Sequence, residues 1–190
     1  MAEYAVKPLS PEIWDAYAQL IERHNGVWGG CWCLSFHPKS PERGVSLQGN
    51  RDLKQRLVYE DQAHAAVVLD GDRAVGWCQY GTPEELPTIT HRKEYETGLV
   101  EPADYRLTCF FVDRDYRRDG VAAVALQGAL DLIAKAGGGL VEAFPYDVQK
   151  KVSGSFLYNG TRVLFERAGF EYQRPKGTNH CVMTTRIAPV

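Results

Sequence analysis

The residues best suited to chemistry lie at a turn between an apolar segment and an alanine-rich segment. The turn reads Arg-Arg-Asp-Gly-Val-Ala at 117–122, and it follows an apolar run at 107–112 that is typical of a buried strand. A helix that begins near Gly120 leaves its first amides without carbonyl partners, so they can donate to an anion. The order of strand, turn and helix therefore predicts a site for a pyrophosphate.

Both the backbone and the side chains of this turn offer donors to such a ligand. Gly120 and Ala122 keep large side chains away from it. Arg117 and Arg118 can add charge-assisted hydrogen bonds to phosphate oxygens, or they can be solvated arginines on the surface of the turn. The predicted ligand-binding residues of the turn are Arg117, Arg118, Asp119, Gly120, Val121 and Ala122.

Composition narrows the class of protein. A chain of 190 residues with 44% hydrophobic and 24% charged residues predicts one globular domain, residues 1–190, with a sizeable core. Its 22 basic and 24 acidic side chains leave no charge excess suited to nucleic acid. It has no apolar run long enough for a membrane helix and no signal-peptide pattern at its start, so we expect a cytoplasmic protein without membrane partners. Five cysteines, an odd number, favour reduced thiols over a disulfide framework.

Hydrophobic periodicity and turn residues predict the elements that position the turn. The segment 27–50 is rich in glycine and aromatics without a clear period, and 81–104 is a long charged connection, so both are predicted to be functional loops. The predicted strands are residues 4–6, 64–69, 74–80, 107–112, 140–144 and 181–187, and the predicted helices are residues 11–24, 51–61, 120–135 and 161–168.

Four motifs in order resemble one known family. The turn matches Gln/Arg-x-x-Gly-x-Gly/Ala, Val-Asp precedes it at 112–113, Val-Glu-Ala follows the helix at 141–143, and Phe-Glu-Arg-Ala-Gly-Phe stands at 165–170. On these residues, which span roughly the C-terminal half, the chain resembles the GNAT superfamily of acetyl-CoA-dependent N-acetyltransferases. The resemblance implies an α/β fold with a mixed central sheet of about six or seven strands, splayed in the middle, with helices on both faces.

The resemblance also implies an activity. The protein would be an acyltransferase that moves an acetyl group from acetyl-CoA to a primary amine of a small molecule or peptide, and the family allows a homodimer. Pantetheine would run between the strands 107–112 and 140–144, where amides near Phe111 and Val112 would polarise the acetyl carbonyl. Asn159 is included in this predicted cofactor site. The acceptor stays open, because acceptor choice in this family resides in loops.

Acetyl transfer needs one group to take a proton from the amine and another to protonate the thiolate of CoA. The family's usual acid is a tyrosine in the last helix, where this chain has Phe165. Tyr158 is the predicted replacement acid, with a packed structural tyrosine as the alternative. Glu142 is the predicted base because it lies close to the expected reaction centre, and strand alternation directs it toward either a cleft or solvent. A solvated or salt-bridged glutamate is the alternative. Asp147, His180 and a water relay are the other means of removing the proton.

A Gly-Gly-Cys-Trp-Cys segment at 29–33 is predicted to cap the acceptor side. It resembles a stretch in a poorly characterised GNAT subgroup. Packing is the alternative reading, and a thiol relay of the acetyl group would need a base such as His37. A zinc site needs four ligands, and the segment offers two cysteines with only scattered histidines elsewhere, so no metal is expected. The residues predicted to line an acceptor pocket are Trp28, Cys31, Trp32 and Phe36.

Two other classes of function stay open on sequence alone. Without the family tyrosine, the chain could be a non-catalytic module that binds CoA and senses it. A redox or metal module centred on Cys31 and Cys33 would instead show bound zinc or a thiol pair of low pKa.

Overall fold

A mixed sheet of seven strands runs through the part of the chain that the computed structural model describes, residues 3–147, 154 and 157–190. The strands are β1 (Ala5–Pro8), β2 (His64–Asp70), β3 (Arg73–Gly81), β4 (Tyr105–Val112), β5 (Gly139–Ala143), β6 (Glu171–Lys176) and β7 (His180–Ile187). Their order across the sheet is β1-β2-β3-β4-β5-β7-β6. Among these strands, β4 and β5 pair in parallel and the other neighbours are antiparallel.

Helices cover both faces of this sheet. One core cluster joins the first two helices to the face that carries Val67 and Trp77, and a second joins the fourth helix to the face that carries Val68 and Val75. Val67 and Val68 alternate along β2, as strand geometry requires. Val75 and Trp77 lie on opposite faces although they are two residues apart, because the β2–β3 pairing shifts at Leu69 and leaves Val75 as an extra residue. The predicted α/β architecture is therefore confirmed. The α-helices in the described residues are α1 (Trp14–Glu22), α2 (Leu47–Tyr59), α3 (Arg92–Thr97), α4 (Val121–Lys135) and α5 (Arg162–Arg167).

Some elements differ from the sequence prediction. Helix α2 begins at Leu47 rather than near residue 51, because Ser46 caps it by accepting a hydrogen bond from the Gly49 amide at 2.9 Å. Helix α3 lies inside the segment predicted as a loop at 81–104. Strand β6 was not predicted, since it lies at the sheet edge and is mostly exposed. In the described ranges, no helix has both the length and the apolar character needed to cross a bilayer.

The sheet splays between its two parallel strands. Strands β4 and β5 pair only from Tyr105 with Val141 to Leu107 with Ala143, while β4 continues to Val112. Residues 157–161, here called the wedge segment, fill the inner part of the gap.

Hydrogen bonds hold the wedge segment on both sides. On the β4 side, the Phe110 amide donates to the Tyr158 carbonyl at 2.6 Å, and the Asn159 side-chain amide donates to the Thr108 carbonyl at 2.6 Å. On the β5 side, the Tyr146 amide donates to the Gly160 carbonyl at 3.0 Å. Tyr158 is thereby fixed at the point where the central strands part.

A buried carboxylate anchors the end of β4 just before the turn. The Asp113 carboxylate accepts hydrogen bonds from Arg23 at 3.1 Å and from Arg73 at 2.9 Å. His24 Nε2 lies 3.1 Å from its other oxygen, and the Asp113 side chain is 1% exposed. Burial alone would raise the pKa of Asp113, but hydrogen bonds from the Asp115 amide and the two arginines outweigh it and lower the pKa to about 2.

We expect Asp113→Asn to lower the free energy of unfolding at pH 7 by about 2–3 kcal/mol, because Arg23 and Arg73 lose their counter-charge. The folded pKa lies below the unfolded value of about 3.9, so the ionised carboxylate stabilises the fold above about pH 4. That contribution should fall as the pH drops toward 2. Urea unfolding at pH 7, 4 and 3 measures it, with the exposed Asp72→Asn as control. A loss independent of pH would contradict the electrostatic origin.

Candidate functional site

A cavity of about 720 Å³ lies where the outer part of β4 meets the start of α4 and the wedge segment. It brings together most of the residues predicted from the turn and from the splayed strands. The predicted residues that line it are Trp28, Phe111, Val112, Arg117, Arg118, Gly120, Val121, Ala122 and Tyr158.

The start of α4 supplies backbone donors to this cavity. Gly120 is the N-cap residue at φ 81°, a left-handed conformation that favours glycine. Its carbonyl accepts from the Ala123 and Val124 amides at 2.9 and 3.1 Å. The amides of Val121 and Ala122 lie in the first turn and have no carbonyl within the helix to donate to. They therefore remain available at the positive end of a 15-residue helix. This arrangement is suited to an anion.

Four arginines surround the cavity. Arg117 and Arg118 are exposed at the turn, and Arg114 and Arg167 also line the space, although neither was predicted. Among the described lining residues there is no aspartate or glutamate. The cavity therefore has an excess of positive charge suited to a ligand with several phosphates.

Two residues of the predicted cofactor site do not line the cavity. Asp119 is exposed on the turn outside the lining. Asn159 is 6% exposed, and its side-chain amide is engaged by the Thr108 carbonyl. Asn159 thus holds the wedge segment against β4 instead of presenting its amide to a ligand.

The hydrogen bonds at the end of β4 show which of its backbone amides face the gap between β4 and β5. The Asp113 amide donates to Val75 on β3, and the Phe110 amide donates to the wedge segment. Because amides alternate along a strand in an antiparallel ladder, the Val112 amide faces the splay and the Phe111 amide faces β3. Of the two predicted carbonyl-polarising positions, the Val112 amide is the one that faces the opening.

Tyr158 stands at the inner end of the cavity. Its ring packs edge-on against Trp28 with centroids 5.4 Å apart, and it contacts Phe36 at 6.3 Å. Burial, more than any neighbouring group, raises the pKa of Tyr158 above its ordinary value. The phenol is therefore protonated at neutral pH and able to donate.

Glu142 does not face a cleft or solvent, so that expectation is wrong, and the alternative of a salt-bridged glutamate applies. It is 2% exposed and lies outside the cavity lining. Its carboxylate accepts from Arg106 Nε at 2.6 Å and from the Tyr95 hydroxyl at 2.8 Å. Tyr95 belongs to α3, which the sequence did not predict, and this helix helps to cover the face that alternation assigns to Glu142. The carboxylate serves a buried ion pair and is unsuited to act as the base.

The Cys-Trp-Cys segment packs into the core more than predicted. Trp32 is 3% exposed and stacks on Trp14 with centroids 5.7 Å apart. Cys33 is buried, with its Sγ 2.8 Å from Cys109 Sγ on β4. Half-exposed Cys31 instead lies 3.0 Å from the Ser35 hydroxyl. Burial in the α1 and α2 core thus removes Trp32 from the predicted acceptor pocket.

The remaining predicted acceptor residues have different positions. Trp28 is 44% exposed and lines the cavity, whereas Cys31 and Phe36 do not line it. Phe36 reaches the cavity only through its contact with Tyr158. Within the described ranges, no three His, Cys, Asp or Glu side chains are grouped so as to hold a metal ion.

Comparison with known proteins identifies the family. A sequence model of the Acetyltransferase (GNAT) family matches residues 16–151. This match covers well over half of the chain, so the protein belongs to that family, and it is an acyltransferase enzyme. No curated protein shows significant sequence similarity to it.

Solved structures share the fold at low sequence identity. A protein from Corynebacterium glutamicum, described as histone acetyltransferase HPA2 and related acetyltransferase, is 15% identical with a TM-score of 0.55, covering 100% of this chain and 98% of that one. The ribosomal-protein-S5-alanine acetyltransferase from Vibrio fischeri is 15% identical with a TM-score of 0.54, covering 98% and 94%. The ribosomal-protein-S18-alanine N-acetyltransferase from Escherichia coli is 13% identical with a TM-score of 0.52, covering 99% and 96%.

Proposed function

We propose that the protein transfers the acetyl group of acetyl-CoA to a primary amine of a small molecule or peptide by direct attack. The charge distribution of the cavity carries this proposal. Its outer part combines the Val121 and Ala122 amides with four arginines and no carboxylate among the described lining residues. Its inner part is formed by aromatic side chains at the splay of the sheet. A long ligand with phosphates at one end and an acyl group at the other suits both parts.

The backbone at the splay would stabilise the charge that develops during transfer. The amine attacks the thioester carbonyl, whose oxygen becomes negative in the tetrahedral intermediate. The Val112 amide faces the opening, so we assign it the role of donor to that oxygen. The Phe110 amide is already engaged by the wedge segment, and the Phe111 amide points toward β3.

Two protons must move during the reaction. Collapse of the intermediate breaks the carbon–sulfur bond, and the departing thiolate needs a proton. We assign this step to the Tyr158 hydroxyl, which is protonated at neutral pH because burial raises its pKa. Since Glu142 is enclosed by Arg106 and Tyr95, we assign removal of the amine proton to water that enters the cavity.

The acceptor class stays broad in this proposal. Two of the similar structures are named for alanine residues of ribosomal proteins, which makes peptide amino termini one group to test. Small amines are the other. We place the activity in the cytoplasm, where the five cysteines, all free in the structure, would remain reduced.

Calorimetric titration with acetyl-CoA, followed by turnover with an amine panel, tests the proposal. The panel should contain peptides with free amino termini, polyamines and free amino acids, and CoA should be measured by chromatography because half-exposed Cys31 would react with thiol reagents. We expect binding together with CoA release by one amine class. Binding without release by any amine would favour a CoA-sensing module, and no binding at all would refute the proposal.

A further inference from the structure

We propose that Cys33 and Cys109 form a redox modification site, at which hydrogen peroxide converts the two thiols into a disulfide. The bond would join the Cys-Trp-Cys segment to β4, the strand that lines the cavity. This inference does not depend on the proposed acetyl transfer, because it rests on the thiols and their surroundings alone.

The geometry of the two sulfurs carries the proposal. Cys33 and Cys109 are 76 residues apart in sequence, yet their Sγ atoms are 2.8 Å apart. A disulfide bond is about 2.05 Å long, so the sulfurs need to approach by less than about 1 Å. Small rotations of the two side chains can supply that movement without a rearrangement of β4.

The charge of a buried lysine, Lys54, favours the thiolate form of both Cys33 and Cys109. Lys54 is 0% exposed, and its Nζ contacts His37 Nε2 at 3.1 Å and Gln79 Oε1 at 3.2 Å, neither of which carries a negative charge. Within the described ranges, no carboxylate forms an ion pair with it. A thiolate at Cys33 would provide the missing counter-charge.

The pKa shifts of the two thiols agree with this arrangement. Burial raises the pKa of Cys33, but its hydrogen bond with Cys109 and the charge of Lys54 outweigh burial and lower the pKa overall. The pKa of Cys109 is raised, first by its hydrogen bond with Cys33 and then by burial. Cys33 is therefore the attacking sulfur and Cys109 the resolving sulfur.

Peroxide has to reach these buried sulfurs through local opening of the Cys-Trp-Cys segment. Trp32 and Cys33 have φ angles of 51° and 55°, in the left-handed region that is unfavourable for such side chains, so local opening of this segment releases strain. Phe111 and Tyr158 pack against the same core cluster and also line the cavity. Hydrogen peroxide is little larger than water, so a small opening between these side chains would admit it.

The reaction balances in two steps. The Cys33 thiolate attacks one peroxide oxygen and breaks the oxygen–oxygen bond, which gives a sulfenic acid and, after protonation, one water. Cys109 then attacks the Cys33 sulfur and displaces the second water as the disulfide forms. Both sulfurs are oxidised, and the two peroxide oxygens are reduced to water.

Peptide mapping of peroxide-treated protein tests the proposal. Full-length reduced protein is treated with hydrogen peroxide, blocked with a thiol reagent and digested without reductant. We expect a crosslinked peptide that contains Cys33 and Cys109, with a loss of two hydrogens that a thiol reductant reverses. The oxidised protein should melt several degrees higher, because a crosslink over so long a segment restricts the unfolded chain.

Variants sharpen the assignment. Cys33→Ser and Cys109→Ser should abolish the crosslink, whereas Cys31→Ser should retain it. Lys54→Met should slow peroxide consumption about tenfold or more without changing the crosslinked pair. A disulfide that contains Cys31, or oxidation confined to Cys31 in the wild-type protein, would overturn the proposal even if a serine variant failed to fold.

Discussion

Gly120→Glu should weaken acetyl-CoA binding by about 100-fold or more, equivalent to about 2.7 kcal/mol. Gly120 precedes the two free amides at the start of α4 and lines the cavity. A Cβ at this position meets no protein atom within 4 Å, so the core would not be disturbed. The new carboxylate would instead stand among amides and arginines and would repel a phosphate there.

A matched control separates this effect from backbone strain. Gly169 has φ 85° against 81° for Gly120, and a Cβ there also meets nothing within 4 Å. It follows α5 and does not line the cavity. Gly169→Glu therefore adds the same charge with a similar strain of about 1 kcal/mol, and it should bind acetyl-CoA like the wild-type protein. Equal weakening of both variants in calorimetry would exclude the turn of Gly120 as the pyrophosphate site.

The parts of the site predicted from sequence are those built from neighbouring residues. Strand β4, the arginine-glycine turn and α4 follow one another within 31 residues. Their signals are an apolar run, a glycine at positive φ and an alanine-rich helix, all of which are local. The cavity accordingly contains most of the residues predicted from this segment.

The predictions that failed depend on contacts between distant segments. Strand alternation predicts on which face of the sheet the Glu142 side chain lies, but it does not predict which residues cover that face. Its partners Arg106 and Tyr95 lie 36 and 47 residues earlier. The pairing of Cys33 with Cys109 has the same origin, since the Cys-x-Cys spacing suggested that Cys31 and Cys33 act together. Such environments arise only from tertiary packing.

Strand β6 and two arginines of the cavity were not predicted from sequence for a different reason. Strand β6 is exposed along most of its length, so it lacks the alternation of buried and exposed residues that identifies a strand. Arg114 lies in no motif. Arg167 lies in the Phe-Glu-Arg-Ala-Gly-Phe motif at the end of α5, a usual place for a basic residue, but the motif gives it no role in ligand binding. Their role becomes visible only when the cavity brings them beside the turn.

Tyr158→Phe should lower kcat by about 100-fold while leaving the affinity for acetyl-CoA nearly unchanged. The ring contacts with Trp28 and Phe36 need no hydroxyl, so phenylalanine should keep the packing. Only the proton donor for the departing thiolate is lost. Steady-state kinetics with the best acceptor, together with calorimetry, measures the two quantities separately. The exposed Tyr172→Phe, outside the cavity, is the control for loss of a hydroxyl.

The pH dependence of kcat distinguishes an acid from a packing residue. Because the pKa of Tyr158 is raised above 10.0, an acid at this position stays protonated throughout the neutral range, and wild-type kcat should decline only above about pH 10. That alkaline decline should disappear in Tyr158→Phe, along with most of the rate. If kcat instead kept its wild-type value and pH profile, the thiolate would depart without help from Tyr158. The contacts with Trp28 and Phe36 would then be the whole contribution of this side chain.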